Sequence, residues 1–226
     1  MRTLAIGDIH GCLTALDTLL GFIQLKSDDH LIFLGDYIDR GPDSKGVLDR
    51  MIQLRLTGQV VTLRGNHELM MLGANEHRAA LRSWLYCGGQ EALDSYSTFE
   101  HQATLKDIPS AHWHFLRQGC LDWYETDTHI FVHANLHYDL PMEHQETSYL
   151  QWEFLNPQMF KPHFSGKTMI CGHSEQRNGR PLVIPGAVGI DTYAYGDGWL
   201  TCLDVATGEY WQTNELGETR MGTLEG

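Results

Sequence analysis

RTLAIGDIHG (residues 2–11), HLIFLGDYIDRG (30–41) and QVVTLRGNHE (59–68) share one plan: a short apolar run, a glycine, then acidic, imidazole or amide side chains. Residues 2–7, 30–35 and 59–65 read as buried strands, each ending at glycine. Between them, Leu13, Leu16, Leu20 and Ile23 recur at helical spacing, as do Val47, Met51 and Leu54. Strand, helix, strand, helix, strand predicts a parallel sheet with right-handed crossovers.

Downstream of these blocks, residues 67–118 read as mainly helical and end in the aromatic-rich AHWHFL run. From residue 119 the texture changes to short strands divided by turn residues: GCLDWYE, HIFVHA, TMICGH, PLVIPG, VGIDTY and WLTCLDV. No Pro/Ser-rich linker, low-complexity tract or internal repeat divides the chain. The expectation is one α/β domain over residues 1–214, two sheets face to face with helices outside. The polar, glycine-rich residues 215–226 are expected to form a tail free to fray.

The chain's 226 residues, 42% hydrophobic and 20% charged, suit a globular domain with a substantial core. A formal net charge of −13 repels nucleic acid and anionic membranes, so neither is expected as a partner. An anionic substrate stays open, because bound divalent cations invert the local potential. Five cysteines without a CxxC pair argue against a disulfide framework and against a thiolate zinc site. The first residues lack the apolar stretch of a secretory signal, and no segment reaches the roughly 20 apolar residues that span a bilayer. A cytoplasmic location is the expectation.

Polar, metal-competent residues gather at the C-terminal ends of the predicted strands, the ligand-binding edge of an open α/β sheet. Asp8 and His10 follow the first strand; Asp36, Asp39 and Arg40 the second; Asn66 and His67 the third; His133 and His173 follow later ones. Carboxylate, imidazole and amide oxygen without thiolate suit manganese, iron or catalytic zinc better than a structural zinc. Asp8 and His10, two apart on an extended segment, project to one side and can share an ion. Asp36 has two oxygens and can bridge two ions, with Asn66, His133 and His173 completing the second. The bland alternatives are helix capping by Asp8 and Asp36 and an ordinary surface ion pair for Arg40. Capping alone leaves the neighbouring His10, Asn66 and His67 unexplained. Histidines outside these blocks, such as His101, His112 and His114, read as surface or hydrogen-bonded core residues. The tryptophans, Trp84 among them, read as packing, as do Tyr193 and Tyr195.

Taken in order, GDIHG, GDYIDRG, GNHE, His133 after a strand, and Gly172-His173 resemble the signature of the PPP-type serine/threonine protein phosphatases. These belong to the wider calcineurin-like metallophosphoesterases, and the resemblance spans about residues 1–205. It implies a four-layer metallophosphoesterase fold, two mixed β-sheets packed face to face and flanked by helices. It also implies a dimetal-dependent phosphomonoester hydrolase whose nucleophile is a metal-bridging water. Asp8, His10 and Asp36 would hold one ion; Asp36, Asn66, His133 and His173 the other. His67 would donate a proton to the leaving oxygen, oriented by Asp39, and Arg40 would grip phosphate. Two divalent ions are implied, manganese first, with iron or zinc as alternatives.

The chain departs from the family pattern at two places. His133 is followed by Ala134-Asn135, where the family often has glycines. Glu153 follows Trp152 where many bacterial members carry an arginine, which leaves Arg177 or Arg180 as candidate second phosphate contacts. The expected substrate is a phosphoprotein carrying phosphoserine, phosphothreonine or phosphotyrosine, since Glu68 and the intact GDYIDRG look closer to the protein phosphatases. The alternative is a small phosphate ester, as for a symmetrical dinucleoside tetraphosphatase. A third reading, a partner-binding relic, fits poorly with metal positions that are all intact.

Overall fold

The computed structural model describes residues 1–225. The first third follows the strand–helix alternation: β1 (Thr3–Ile6), α1 (Leu13–Phe22), β2 (His30–Phe33), α2 (Ser44–Arg55), β3 (Val60–Thr62). Four helices then occupy the middle: α3 (Asn66–Glu76), α4 (Arg78–Trp84), α5 (Gln90–Asp94) and α6 (Ser110–His114). β4 (Trp123–Glu125) and β5 (His129–Val132) precede α7 (Thr147–Trp152). Seven short strands close the chain: β6 (Thr168–Cys171), β7 (Leu182–Ile184), β8 (Ala187–Gly189), β9 (Asp191–Thr192), β10 (Trp199–Asp204), β11 (Glu209–Thr213) and β12 (Thr219–Thr223).

The strands form two mixed sheets. One runs β12-β11-β10-β1-β2-β3, with β9 also on β10; the other runs β4-β5-β6-β8-β7. β1, β2 and β3 are parallel, as the alternation predicts, and β10 joins β1 antiparallel. Side chains on a strand alternate between faces, so each buried strand feeds two cores. Leu4, Ile6, Leu31 and Phe33 pack under α1 and α2 with Leu16, Leu19, Val47 and Met51. Ala5, Ile32 and Leu34 face the other way and meet Phe131, Ile170 and Val188 between the sheets. Ile130, Val132, Met169 and Cys171 fill a third core with Leu150 of α7. Helices, sheet, sheet and helix make four layers, the architecture that the resemblance implies.

The C-terminal residues differ from expectation. Residues 219–223 form β12, which pairs along its length with β11, and Glu215 accepts from the free N–H groups of Thr14 and Ala15 (3.4 and 3.0 Å) at the start of α1. A stretch read as a loose tail is therefore stitched to the first helix, because a helix N-terminus leaves N–H groups that a carboxylate satisfies. The helical middle is also interrupted: no helix covers residues 95–104. Among the described residues no helix is long and apolar enough to cross a membrane.

Candidate metal centre

The ends of β1, β2 and β3 open onto one edge, and β5 and β6 bring His133 and His173 to it from the second sheet. Asp36 lies at the middle. Its Oδ2 is 3.5 Å from His10 Nε2, 3.5 Å from His133 Nε2 and 4.0 Å from His67 Nε2. Two groups of ligand atoms share it, His10–Asp36–His67 and Asp36–His133–His173, the atoms of each within 4.8 Å of one another. Asn66 Oδ1 faces His133 Nε2 at 3.0 Å and His173 Nδ1 at 3.1 Å. Asp8 reaches the edge beside them, where its oxygens accept from the His173 N–H at 3.2 and 3.0 Å. His67 thus reaches the first group beside His10, and the Asp8 carboxylate, expected there too, accepts from the His173 N–H.

The backbone is bent to make this convergence. His10, Asp36, Asp39, Arg40 and His173 all take positive φ, between 46° and 72°. Such left-handed geometry costs side-chain-bearing residues of order 1–3 kcal/mol each and persists only where the surroundings impose it. Two glycines supply the room. A Cβ on Gly65 would collide with Asp36 Oδ1 and lie 2.6 Å from Asp36 N; one on Gly172 would collide with Asp8 Oδ1.

The imidazoles are aimed by backbone carbonyls. His10 Nδ1 is 2.9 Å from Ile38 O, and His133 Nδ1 is 2.9 Å from Leu34 O. A carbonyl only accepts, so both Nδ1 atoms carry the proton and the bare Nε2 atoms face Asp36. Burial lowers both imidazoles, His10 well below its ordinary value. Burial and the neighbouring His133 bring His173 down to about 4. All three are neutral near pH 7, as ligands must be.

The carboxyls show the opposite strain. Burial, then Asp191 and Asp36, raises Asp8 well above the usual range. Burial and Asp36 push Glu68 up to about 8, and burial pushes Asp191 up to about 7. Asp36 alone stays low: burial opposes its ionisation, but His133, His67, His10 and His173 outweigh it. Of the five buried acids here (Asp8, Asp36, Asp39, Glu68 and Asp191), Asp8 and Asp191 have Arg40 as their counter-charge, and its Nη1 is 3.1 Å from His10 Nε2. Crowded acids short of counter-charge, interleaved with bare imidazole nitrogens, fit divalent cations.

Several contributors escaped the sequence reading. Trp84, read as packing, donates its indole N–H to both Asp39 oxygens (3.0 and 2.9 Å), and Asp39 Oδ2 pairs with His67 Nδ1 at 2.7 Å. Glu68 accepts from the backbone N–H groups of Asp36, Tyr37 and Gly65 at 2.8–2.9 Å, tying the second and third blocks together. The sequence signal for it was present in GNHE. Tyr195, also read as packing, stands edge-on to His10 and lies 4.6 Å under the Arg40 guanidinium, its hydroxyl donating to Glu175. Arg177 is bound to that same Glu175 and lies over Tyr193, while Arg180 lines a hollow with Arg220 and Tyr210. Arg177 thus has Glu175 and Tyr193 as partners, next to the Tyr195 ring that carries Arg40. The segment after α7 grips His173: Trp152 O lies 3.1 Å from Nε2, and the Phe154 ring stacks on the imidazole at 4.7 Å.

This arrangement puts two groups of side chains that could hold metal ions, sharing Asp36, at one edge of an α/β sandwich. The sequence profile of the calcineurin-like phosphoesterases matches residues 1–178, and the chain belongs to that family. A symmetrical bis(5'-nucleosyl)-tetraphosphatase of Legionella pneumophila (strain Lens) is 36% identical over 122 residues, 54% of this chain and 39% of the relative. Serine/threonine-protein phosphatase 1 of Salmonella typhimurium is 35% identical over 138 residues, 58% of this chain and 57% of the relative. The chain thus matches roughly two fifths to three fifths of these curated relatives' length. A crystal structure described as a candidate diadenosine tetraphosphatase superposes with a TM-score of 0.67 at 20% identity, covering 98% of this chain and 93% of that one.

Proposed function

We propose that the chain is a dimetal-dependent hydrolase of small phosphate compounds, with symmetrical dinucleoside tetraphosphates as the leading substrate class. The observation that carries the hydrolase reading is Asp36, a buried carboxylate shared by two groups of imidazole ligands. The substrate class is supported by curated relatives that are named as symmetrical tetraphosphatases. That weight moves the balance from the phosphoprotein favoured by the motifs alone. The phosphoprotein reading keeps one support, an alignment with a serine/threonine phosphatase over more than half of both chains.

In this proposal Asp8, His10 and Asp36 hold one divalent ion, and Asp36, Asn66, His133 and His173 hold the other, manganese being the first candidate. Bound there, two divalent ions would acidify a water and neutralise charge on the phosphate. The chain's own groups then do the rest. Arg40, braced by Tyr195, offers its guanidinium fork to the phosphate oxygens. His67 supplies the proton at Nε2 while Nδ1–H is held by Asp39. Burial lowers the His67 imidazole, but Asp36 and Asp39 more than restore it, and its net value is raised. Burial also brings Asp39 up to about 6, against the pull of the His67 and Trp84 hydrogen bonds.

A substrate panel on manganese-loaded protein tests the proposal. Diadenosine tetraphosphate, a phosphoserine peptide and 4-nitrophenyl phosphate are compared by kcat/KM, with and without a chelator. The expected result is metal-dependent turnover with at least tenfold preference for the dinucleotide. A tenfold preference for the peptide would return the assignment to a phosphoprotein phosphatase. Chelator-insensitive activity would overturn the dimetal reading.

A further inference from the structure

A cleft of about 410 Å³ is lined in part by Phe154, whose ring links it to His173 of the candidate metal centre. Its walls include Tyr138, Tyr149, Glu153, Phe154 and Lys161. One face of Phe154 rests on the His173 imidazole, and 64% of the residue is exposed. Its surroundings are fixed rather than loose. Asn135 Nδ2 donates to the Phe154 carbonyl at 3.1 Å, and Tyr149 stacks on His137 at 3.8 Å. Lys161 Nζ lies 4.6 Å from the centre of the Tyr138 ring.

We infer that this cleft receives a nucleobase of the substrate, stacked on the open face of Phe154 and read at its edge by Glu153 and Lys161. The inference rests on the small-nucleotide reading above. Every base presents a π-face, and stacking on a fixed aromatic ring holds it with little dependence on its identity. The cleft offers one anionic acceptor and one cationic donor, Glu153 and Lys161, at its polar rim. Exocyclic amino groups, carbonyls and ring nitrogens of a base can use both, whereas the ring edge of a phosphotyrosine carries only C–H groups. Ring and phosphate then occupy adjoining places, the base on Phe154 and the phosphate over the ligand groups that His173 joins. The segment that departs from the family's arginine at residue 153 thereby gains a role. It supplies a base platform instead of a second phosphate clamp.

The test compares diadenosine tetraphosphate with glycerol 2-phosphate, which has no ring, on wild-type and Phe154→Leu protein. Leucine keeps an apolar contact to His173 and removes the flat face. The readout is the ratio of the two kcat/KM values, with metal content measured on each preparation. The ratio is expected to fall at least tenfold, mostly through KM for the dinucleotide. A Lys161→Met variant, away from His173, should lower the same ratio severalfold and serves if Phe154→Leu folds poorly. A ratio within threefold of wild type in both variants overturns the inference. So does a loss confined to a phosphotyrosine peptide, which would assign the wall to a protein substrate. Absence of nucleotide turnover in the wild type would instead sink the substrate reading, a result separable from failure of the variants.

Discussion

Replacing Asp39 by asparagine separates the roles of His67 most sharply. Asp39 is fully buried and offers two oxygens to two donors, His67 Nδ1 at 2.7 Å and the Trp84 indole N–H at 3.0 and 2.9 Å. Asparagine keeps the shape but has a single acceptor oxygen. If that oxygen faces His67, it can still accept from the indole N–H as Asp39 Oδ2 does at 2.9 Å, but the amide N–H2 then has no acceptor, at about 1–3 kcal/mol. If it faces Trp84, the amide donates to His67 Nδ1, which must then be the bare nitrogen. The second arrangement gives the amide an acceptor that the first lacks and so prevails. It holds His67 as a neutral imidazole, a very weak acid at Nε2, and removes the carboxylate that helped raise its pKa. The general-acid contribution, of order 10²–10⁴ in rate or about 3–5 kcal/mol, is then lost for substrates that need it. O-phosphoserine, with an alkoxide leaving group, should lose at least a hundredfold in kcat. 4-Nitrophenyl phosphate, whose leaving group departs without a proton, should lose no more than severalfold. Both rates are measured on manganese-loaded protein with the bound metal counted. Equal losses on the two esters, or none on either, would refute the reasoning.

Two further predictions follow from the same geometry. Gly65→Ala places a methyl against the Asp36 carboxylate and backbone nitrogen, so it should weaken metal retention by about tenfold or more, read as metal content after dialysis. Near-normal metal content would show that the loop yields. Stability of the metal-free protein should fall as pH rises from about 6.5 to 8.5. In that window the folded state still binds protons at Glu68 (about 8), Asp191 (about 7) and the raised His67, which the unfolded chain has released. The lowered imidazoles work the other way at the acid end of the window, where unfolded histidines with pKa about 6.5 are still partly protonated, so the fall is clearest above about pH 7. Urea denaturation in chelator at the two ends of the window measures the slope, and manganese should flatten it. A slope of the opposite sign would refute the assigned shifts.

The legible part of the site is the part encoded locally. Each metal-competent residue follows closely on a strand whose apolar run is plain, which puts Asp8, Asp36 and Asn66 on one edge from the sequence alone. β11 and β12 were not legible. The buried positions of β11 are Gln212 and Thr213, whose polar groups are satisfied by Gly179, Thr201 and Ala15, and β12 has no buried position. Polar side chains buried by such long-range hydrogen bonds carry no hydrophobic period to read. Trp84 reaches Asp39 across 45 residues, and nothing near either one announces the other.

The sequence by itself determined the kinds of ligand, their order and the parallel core that carries them, because strand ends and adjacent polar residues are local properties. Only the tertiary structure decided which nitrogen of each imidazole faces inward, which acids are starved of counter-charge, and that Phe154 rather than an arginine flanks His173. Proton placement, burial and stacking depend on distances between segments up to 165 residues apart, as between Asp8 and His173, and those distances exist only once both sheets have closed on their shared core.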